Sequence, residues 1–200
     1  MKKIQGIVLL IAAGICTMQA QTAVTAAPQG ETASVKWYSI EEAIALQAKT
    51  PKKIFVDVYA KWCGPCKMMD RYTFSHPAVA GYLNKNFYPV KFDAEQLEPV
   101  TINGKTYILR TEYADQRSPG IHEYAIALLL SDENRQIGYP STVYLNEKGE
   151  KIQTLSGYQQ PQIISPILVF FAENYYAKMP WEDYEKNVWP THPANSGLLQ

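Results

Sequence analysis

The chain predicts an α/β fold in which a mixed sheet carries helices on both faces. Three observations point there. Apolar runs of strand length, 54–60 and Phe87–Asp93, are separated by stretches with helical spacing. Two further strand-like runs, Ser141–Leu145 and 152–155, are joined by the short turn Glu147-Lys148-Gly149-Glu150. A long apolar helical stretch follows them. Helix-linked strands first and a hairpin last give a sheet with parallel and antiparallel members. With 200 residues, 46% of them apolar and 19% charged, the chain can bury one core of its own.

The first twenty residues stand apart. Lys2 and Lys3 begin them, 4–16 is apolar and nearly uncharged, and Met18-Gln19-Ala20 offers a small residue at a cleavage point. That is the layout of a secretory signal peptide over 1–20. Its apolar part is about 12 residues, short of the ~20 that span a bilayer. Retention as an anchor is the alternative. Ile15 before Cys16 fits lipoprotein processing poorly. Residues 21–35, rich in Ala, Thr and Gln, read as a flexible leader into a domain over 36–178.

Ser39 opens the first helix. Its hydroxyl caps the first turn and Glu42 completes a capping box, with Ile40, Ala43, Ile44 and Gln47 at helical spacing as far as Lys49. Pro51 breaks it and strand 54–60 follows. A second helix opens near Cys63 and runs to about Tyr72. Ser75 is expected to cap a third, with Pro77 in its first turn and Val79, Tyr82 and Leu83 as its apolar stripe. After Phe87–Asp93, residues 94–138 hold Asn103-Gly104, a hairpin signal, and a helix over 121–130. The last long helix covers 161–178, or begins at Pro166 with Ser165 as its cap. A tail over 179–200, with Trp181, Tyr184 and Trp189 among prolines, is expected to lie against the surface before fraying.

Nineteen basic residues balance nineteen acidic ones with no basic patch, which argues against nucleic acid as a partner. His76, His122 and His192 lack ligand spacing, so they read as surface or capping residues and no metal site is expected. The reading includes no cofactor.

The chemistry lies in Trp62-Cys63-Gly64-Pro65-Cys66-Lys67. Two cysteines at this spacing close a small, reversible disulfide. Loss of the leader would remove Cys16, leaving Cys63 and Cys66 as the only thiols of the mature chain. A secreted disulfide scaffold carries more cysteines at wider spacing, and a bridge across so short a loop constrains the unfolded chain little. The pair therefore reads as functional. Cys63, at a helix start, is the attacking thiol, since backbone N–H groups and the helix dipole there favour the thiolate. Cys66, one turn further in and expected to be less exposed, resolves the mixed disulfide. Asp57 is a carboxylate in an apolar strand; burial would raise its pKa and suit it to proton exchange with Cys66. Lys67 reads as solvated, and Met68 and Met69 as core.

The hexapeptide after a strand carrying Asp57, with Tyr139-Pro140-Ser141-Thr142 before the terminal hairpin, resembles the thioredoxin superfamily over about 37–176. Together with Thr73-Phe74-Ser75-His76-Pro77, these segments look closer to exported thioredoxin-like proteins of Bacteroidetes-type bacteria than to minimal cytosolic thioredoxin. The resemblance implies a three-layer α/β/α sandwich with a hairpin-plus-helix insert before a cis-proline at Pro140. It implies that Asp57 matches the family's buried acid and that Tyr139 and Pro140 face substrate beside Cys63. Trp62 and Tyr139 offer apolar contact there, or simple packing. Gly64-Pro65 between the cysteines goes with reducing members.

The function expected is therefore a periplasmic or otherwise exported protein-disulfide reductase. Its partners would be disulfide-bearing exported proteins and a membrane thiol electron donor, since no NADPH is supplied outside the cytoplasm. Three alternatives stand beside it: a disulfide isomerase or oxidase, a metal-binding chaperone using Cys63 and Cys66, and a binding module that docks through the insert.

Overall fold

The computed structural model describes residues 34–130 and 136–198. The signal peptide over 1–20, most of the leader and Cys16 lie outside the described residues.

β1 (Lys53–Tyr59) and β2 (Phe87–Asp93) pair in parallel, and β7 (Ser141–Leu145) and β8 (Lys151–Ser156) complete an antiparallel half, in the order β2-β1-β7-β8. Alternation along the strands sorts the side chains by face. Ile54, Val56 and Val58 pack with α1 (Ile40–Lys49) and α4 (Glu123–Leu129), through Ile40, Ala43, Ala125 and Leu128. Phe55, Phe87 and Tyr144 face the other way, toward Val79 and Leu83 of α3 (Pro77–Asn86) and Ile164 and Leu168 of α5 (Pro161–Ala172). The result is the thioredoxin-like three-layer α/β/α sandwich with a mixed sheet.

The Ser39 cap forms as expected: Glu42 N–H donates to Ser39 Oγ at 3.1 Å and Ser39 N–H to Glu42 Oε2 at 2.8 Å. Ser39→Ala should cost about 1 kcal/mol, read as a lowered midpoint in urea denaturation.

The expected helix from Cys63 to Tyr72 divides. α2 (Gly64–Met69) passes into a π-helical turn, Asp70–Phe74, which turns Thr73 and Phe74 into the core. Ser75 is not the cap of α3. That position falls to His76, and the Ser75 hydroxyl donates back to the Arg71 carbonyl. Ser165 caps nothing either: α5 begins at Pro161, and Ser165 Oγ donates to the Pro161 carbonyl inside the helix at 2.6 Å.

The insert is richer than a hairpin and a helix. β3 (Val100–Ile102) and β4 (Lys105–Tyr107) form the hairpin around Asn103 and Gly104, both at positive φ, as a type I′ turn requires. A second pair follows, β5 (Leu109–Arg110) with β6 (Ile121–His122), so Ile121 and His122 are strand and not the start of α4. Gly120 makes this pair possible: its φ is +136° and a Cβ there would collide with the Arg110 carbonyl oxygen. His122 is fully buried rather than on the surface. It does cap: its Nδ1 accepts from Tyr124 N–H at 3.2 Å, and its ring stands edge-on to Phe92.

The tail does more than lie against the surface. α6 (Trp181–Asn187) and α7 (Pro193–Leu198) continue the chain, and Tyr184 is fully buried among Phe170, Tyr175 and Trp181. Its hydroxyl donates to the Pro166 carbonyl at 3.2 Å, inside α5. Trp189 is also buried in this cluster.

Candidate active site

β1 delivers the site. Past Tyr59 the chain turns through Ala60-Lys61-Trp62 into α2, and Cys63 N–H donates to the Ala60 carbonyl at 3.0 Å. Cys63 takes the N-cap position. Pro65, without an N–H, suits the first helical turn, and Gly64 meets no neighbour that would resist a side chain. Cys63 and Cys66 are joined in a disulfide with Cα atoms 5.3 Å apart. The backbone N–H of Cys66 points at Cys63 Sγ, 3.1 Å away. An N–H aimed at that sulfur favours the thiolate when the bridge opens.

The expected difference in exposure is absent in this oxidised form. Cys63 is 2% exposed and Cys66 3%. The bridge turns both sulfurs inward, and Ala60, Tyr59 and Tyr139 pack against them. Trp62 is half-exposed and lies edge-on to Tyr139 at 6.1 Å. The Tyr139-Pro140 bond is cis. Lys67 is exposed, as read. Met69 is core, but Met68 is on the surface rather than in the core.

Asp57 is 1% exposed, on the sheet face shared with Phe55 and opposite Lys91 on β2. Lys91 Nζ lies 2.9 Å from Asp57 Oδ2, and it also pairs with Asp70 in the π-helical turn. Asp57 Oδ1 is buried with no hydrogen-bond partner among the described residues. Burial pushes the carboxyl up, Lys91 pulls it part of the way back, and it stands at about 6. Lys91 loses some of its charge preference to burial, but the two carboxylates outweigh that and hold it above the usual lysine value. It stays a cation while Asp57 titrates.

Three residues near the site were not singled out from the sequence: Lys91, Asp70 and Glu95. Glu95 Oε1 accepts from Trp62 Nε1 at 2.9 Å. For Lys91 a signal existed. It is the one charge within the apolar run 87–92, as Asp57 is within 54–60.

A redox-active pair at a strand-to-helix junction, on a mixed sheet with a cis-proline loop beside it, defines a thioredoxin-like site. The thioredoxin-like domain family matches residues 40–172, and the chain belongs to that family. The thiol:disulfide interchange protein DsbD of Vibrio vulnificus is 39% identical over 74 residues, covering 34% of this chain and 11% of that protein. A thioredoxin-like protein of Synechocystis is 27% identical over 124 residues, covering 62% of this chain and 86% of the relative. The matches to DsbD proteins span only 7% to 14% of those proteins' length. The fold is similar to a Thermus thermophilus thioredoxin, with 18% identity, 77% of this chain and 97% of that one covered, and a TM-score of 0.47. It is also similar to a putative disulphide-isomerase from Bacteroides thetaiotaomicron, with 22% identity, 70% and 94% covered, and a TM-score of 0.46.

Proposed function

We propose that this thioredoxin-like protein is a thiol–disulfide oxidoreductase, that it is exported, and that it acts as a reductase on disulfides of other exported proteins. The observation that carries the reading is the Cys63–Cys66 disulfide at the start of α2, with the Cys66 amide aimed at Cys63 Sγ. Export rests on the leader, Lys2-Lys3 followed by the apolar 4–16. Among the described residues no helix is long and apolar enough to cross a membrane. The reducing direction rests on Gly64-Pro65.

The steps follow from the arrangement. The Cys63 thiolate attacks a substrate sulfur, forming the mixed disulfide and expelling the other substrate sulfur as a thiolate, which takes a proton. Asp57 as carboxylate accepts the proton of the Cys66 thiol. The Cys66 thiolate then attacks Cys63 Sγ, closing the observed disulfide and releasing the second substrate sulfur. Two electrons pass from the dithiol to the substrate. A membrane thiol carrier restores the dithiol by the reverse exchange. Trp62, Tyr139 and Pro140 line the substrate's approach.

The test is reduction of insulin disulfides with dithiothreitol as donor, together with the equilibrium potential of the pair. The reductase reading expects catalysis and a potential near that of thioredoxin, about −270 mV. A potential near −120 mV, that of a strong oxidant, would overturn it.

A further inference from the structure

The insert meets the active-site loop at the turn 93–95 that leaves β2. Three successive residues of this turn hold the residues leading into Cys63. Asp93 Oδ2 pairs with Lys61 Nζ at 3.1 Å. Ala94 N–H donates to the Tyr59 carbonyl at 2.8 Å. Glu95 accepts the Trp62 indole N–H at 2.9 Å. The turn is itself braced, since Asp93 Oδ1 accepts from Glu95 N–H at 3.0 Å. Behind it the Ala94 carbonyl accepts from His122 N–H at 2.7 Å. His122 caps α4, so the start of that helix is tied to the same turn through Ala94.

Trp62 is where this grip matters. Its ring is half-exposed, so packing alone does not fix it, yet the disulfide beside it is almost wholly buried. Trp62 rests edge-on against Tyr139, and Tyr139 packs on Cys63 and Cys66. Attack on Cys63 Sγ needs a thiolate in line with the S–S bond, and a ring held in this position narrows that approach.

We propose that Glu95 is a positioning residue that latches Trp62 against Tyr139, which itself packs on the Cys63–Cys66 disulfide, so that the insert sets which thiols reach the sulfur. A small free thiol has nothing to offer in exchange for the latched ring and must wait for it to open. A polypeptide partner, the membrane thiol donor of the proposed function included, can lay apolar surface against Trp62 and take up its freed N–H. The latch therefore favours protein thiols over small ones. This inference rests on the oxidoreductase reading.

The test compares oxidised wild type, Glu95→Ala and Glu95→Gln. Each is reduced by 2-mercaptoethanol, with free thiols followed by alkylation and mass spectrometry. Glu95→Ala should accelerate reduction roughly tenfold, the factor expected on losing one hydrogen bond to a charged group. Glu95→Gln keeps an oxygen for the indole N–H and should stay within about threefold of wild type. The redox equilibrium with glutathione should be the same in all three, because the latch controls access and not the stability of the bridge. An unchanged rate in Glu95→Ala overturns the proposal. So does a Glu95→Gln rate equal to that of Glu95→Ala, which would assign the effect to charge. A shift of the redox equilibrium that accounts for the rate overturns it as well. These ratios read on the latch even where wild type leaves insulin intact, a result that would sink the reductase reading separately.

Discussion

Cys63→Ser should reduce insulin no faster than the dithiothreitol background, while its thermal midpoint matches that of reduced wild type. The pairing of readouts matters. Both cysteines are buried beside Ala60 and Tyr139, so a loss of activity alone would leave misfolding as an explanation. Serine is close in size to cysteine and Cys63 sits at an N-cap, a position serine favours, so the fold should persist. What serine cannot supply is a thiolate, the only form that attacks a disulfide. Cys66→Ser separates the two roles. It keeps the attacking sulfur and removes the resolving one, so mixed disulfides on Cys63 should accumulate and survive non-reducing electrophoresis. Mass spectrometry of the trapped species would name the substrates. Insulin reduction by Cys63→Ser, or an empty trap in the native host, would remove the catalytic assignment and leave a binding module.

The sheet was legible because its strands are short apolar runs set off by turn and helix signals. The runs 54–60 and 87–92 each hold a single charge, and the Asn103-Gly104 turn states a hairpin, whereas the division of Ile54, Val56 and Val58 from Phe55 into two faces came with the structure. The tail was not, for a physical reason. Tyr184 is buried with its hydroxyl on the Pro166 carbonyl, an acceptor that only α5 presents. In sequence it stands among Glu182, Asp183 and Glu185, and nothing local marks it as core. Ser75 misled for a related reason. A serine before a proline-started helix has two outlets, the next turn's N–H groups or the preceding carbonyls, and the π-helical turn brings the Arg71 carbonyl closer.

The site divides along the same line. The cysteines, Gly64 and Pro65 form one contiguous motif whose local geometry follows from residue type. Glu95 and Asp70 are ordinary surface acids in sequence. Glu95 acquires a partner because β1 and β2 end side by side, and Asp70 because the π-helical turn carries it to Lys91. Asp57 lies between these cases. Its burial was readable from its neighbours, but its lysine partner comes from the parallel register that sets Asp57 opposite Lys91.

That pairing sets up the second large effect: Asp57→Asn should make the protein more stable at pH 7.5 and a slower enzyme. The carboxyl stands at about 6 against 3.8 for an unperturbed aspartate. The folded state therefore holds a proton that the unfolded chain has released between these values. Stability is fully present below about pH 4, falls as pH rises from there to about 6, and is flat beyond. The two units amount to about 3 kcal/mol, an upper bound for Asp57→Asn because Lys91 loses one of its two carboxylate partners. Urea denaturation across pH 4 to 8 should show wild type losing stability through this window and the variant losing much less. The catalytic arm has the opposite sign. A carboxylate with a pKa near 6 is ionised at neutral pH, yet basic enough to take a proton from Cys66, and a positioned base of this kind contributes about 10²–10⁴ in rate. Single-turnover resolution of a Cys63 mixed disulfide should rise through pH 6 in wild type, and in the variant it should be slower by about a hundredfold without that inflection. A variant that kept the inflection would move the proton to another group. One that gained no stability at pH 7.5 would show that Lys91 fully offsets the desolvation of Asp57. An asparagine that raised stability and left the rate untouched would make Asp57 a buried acid the protein tolerates, with no part in the exchange.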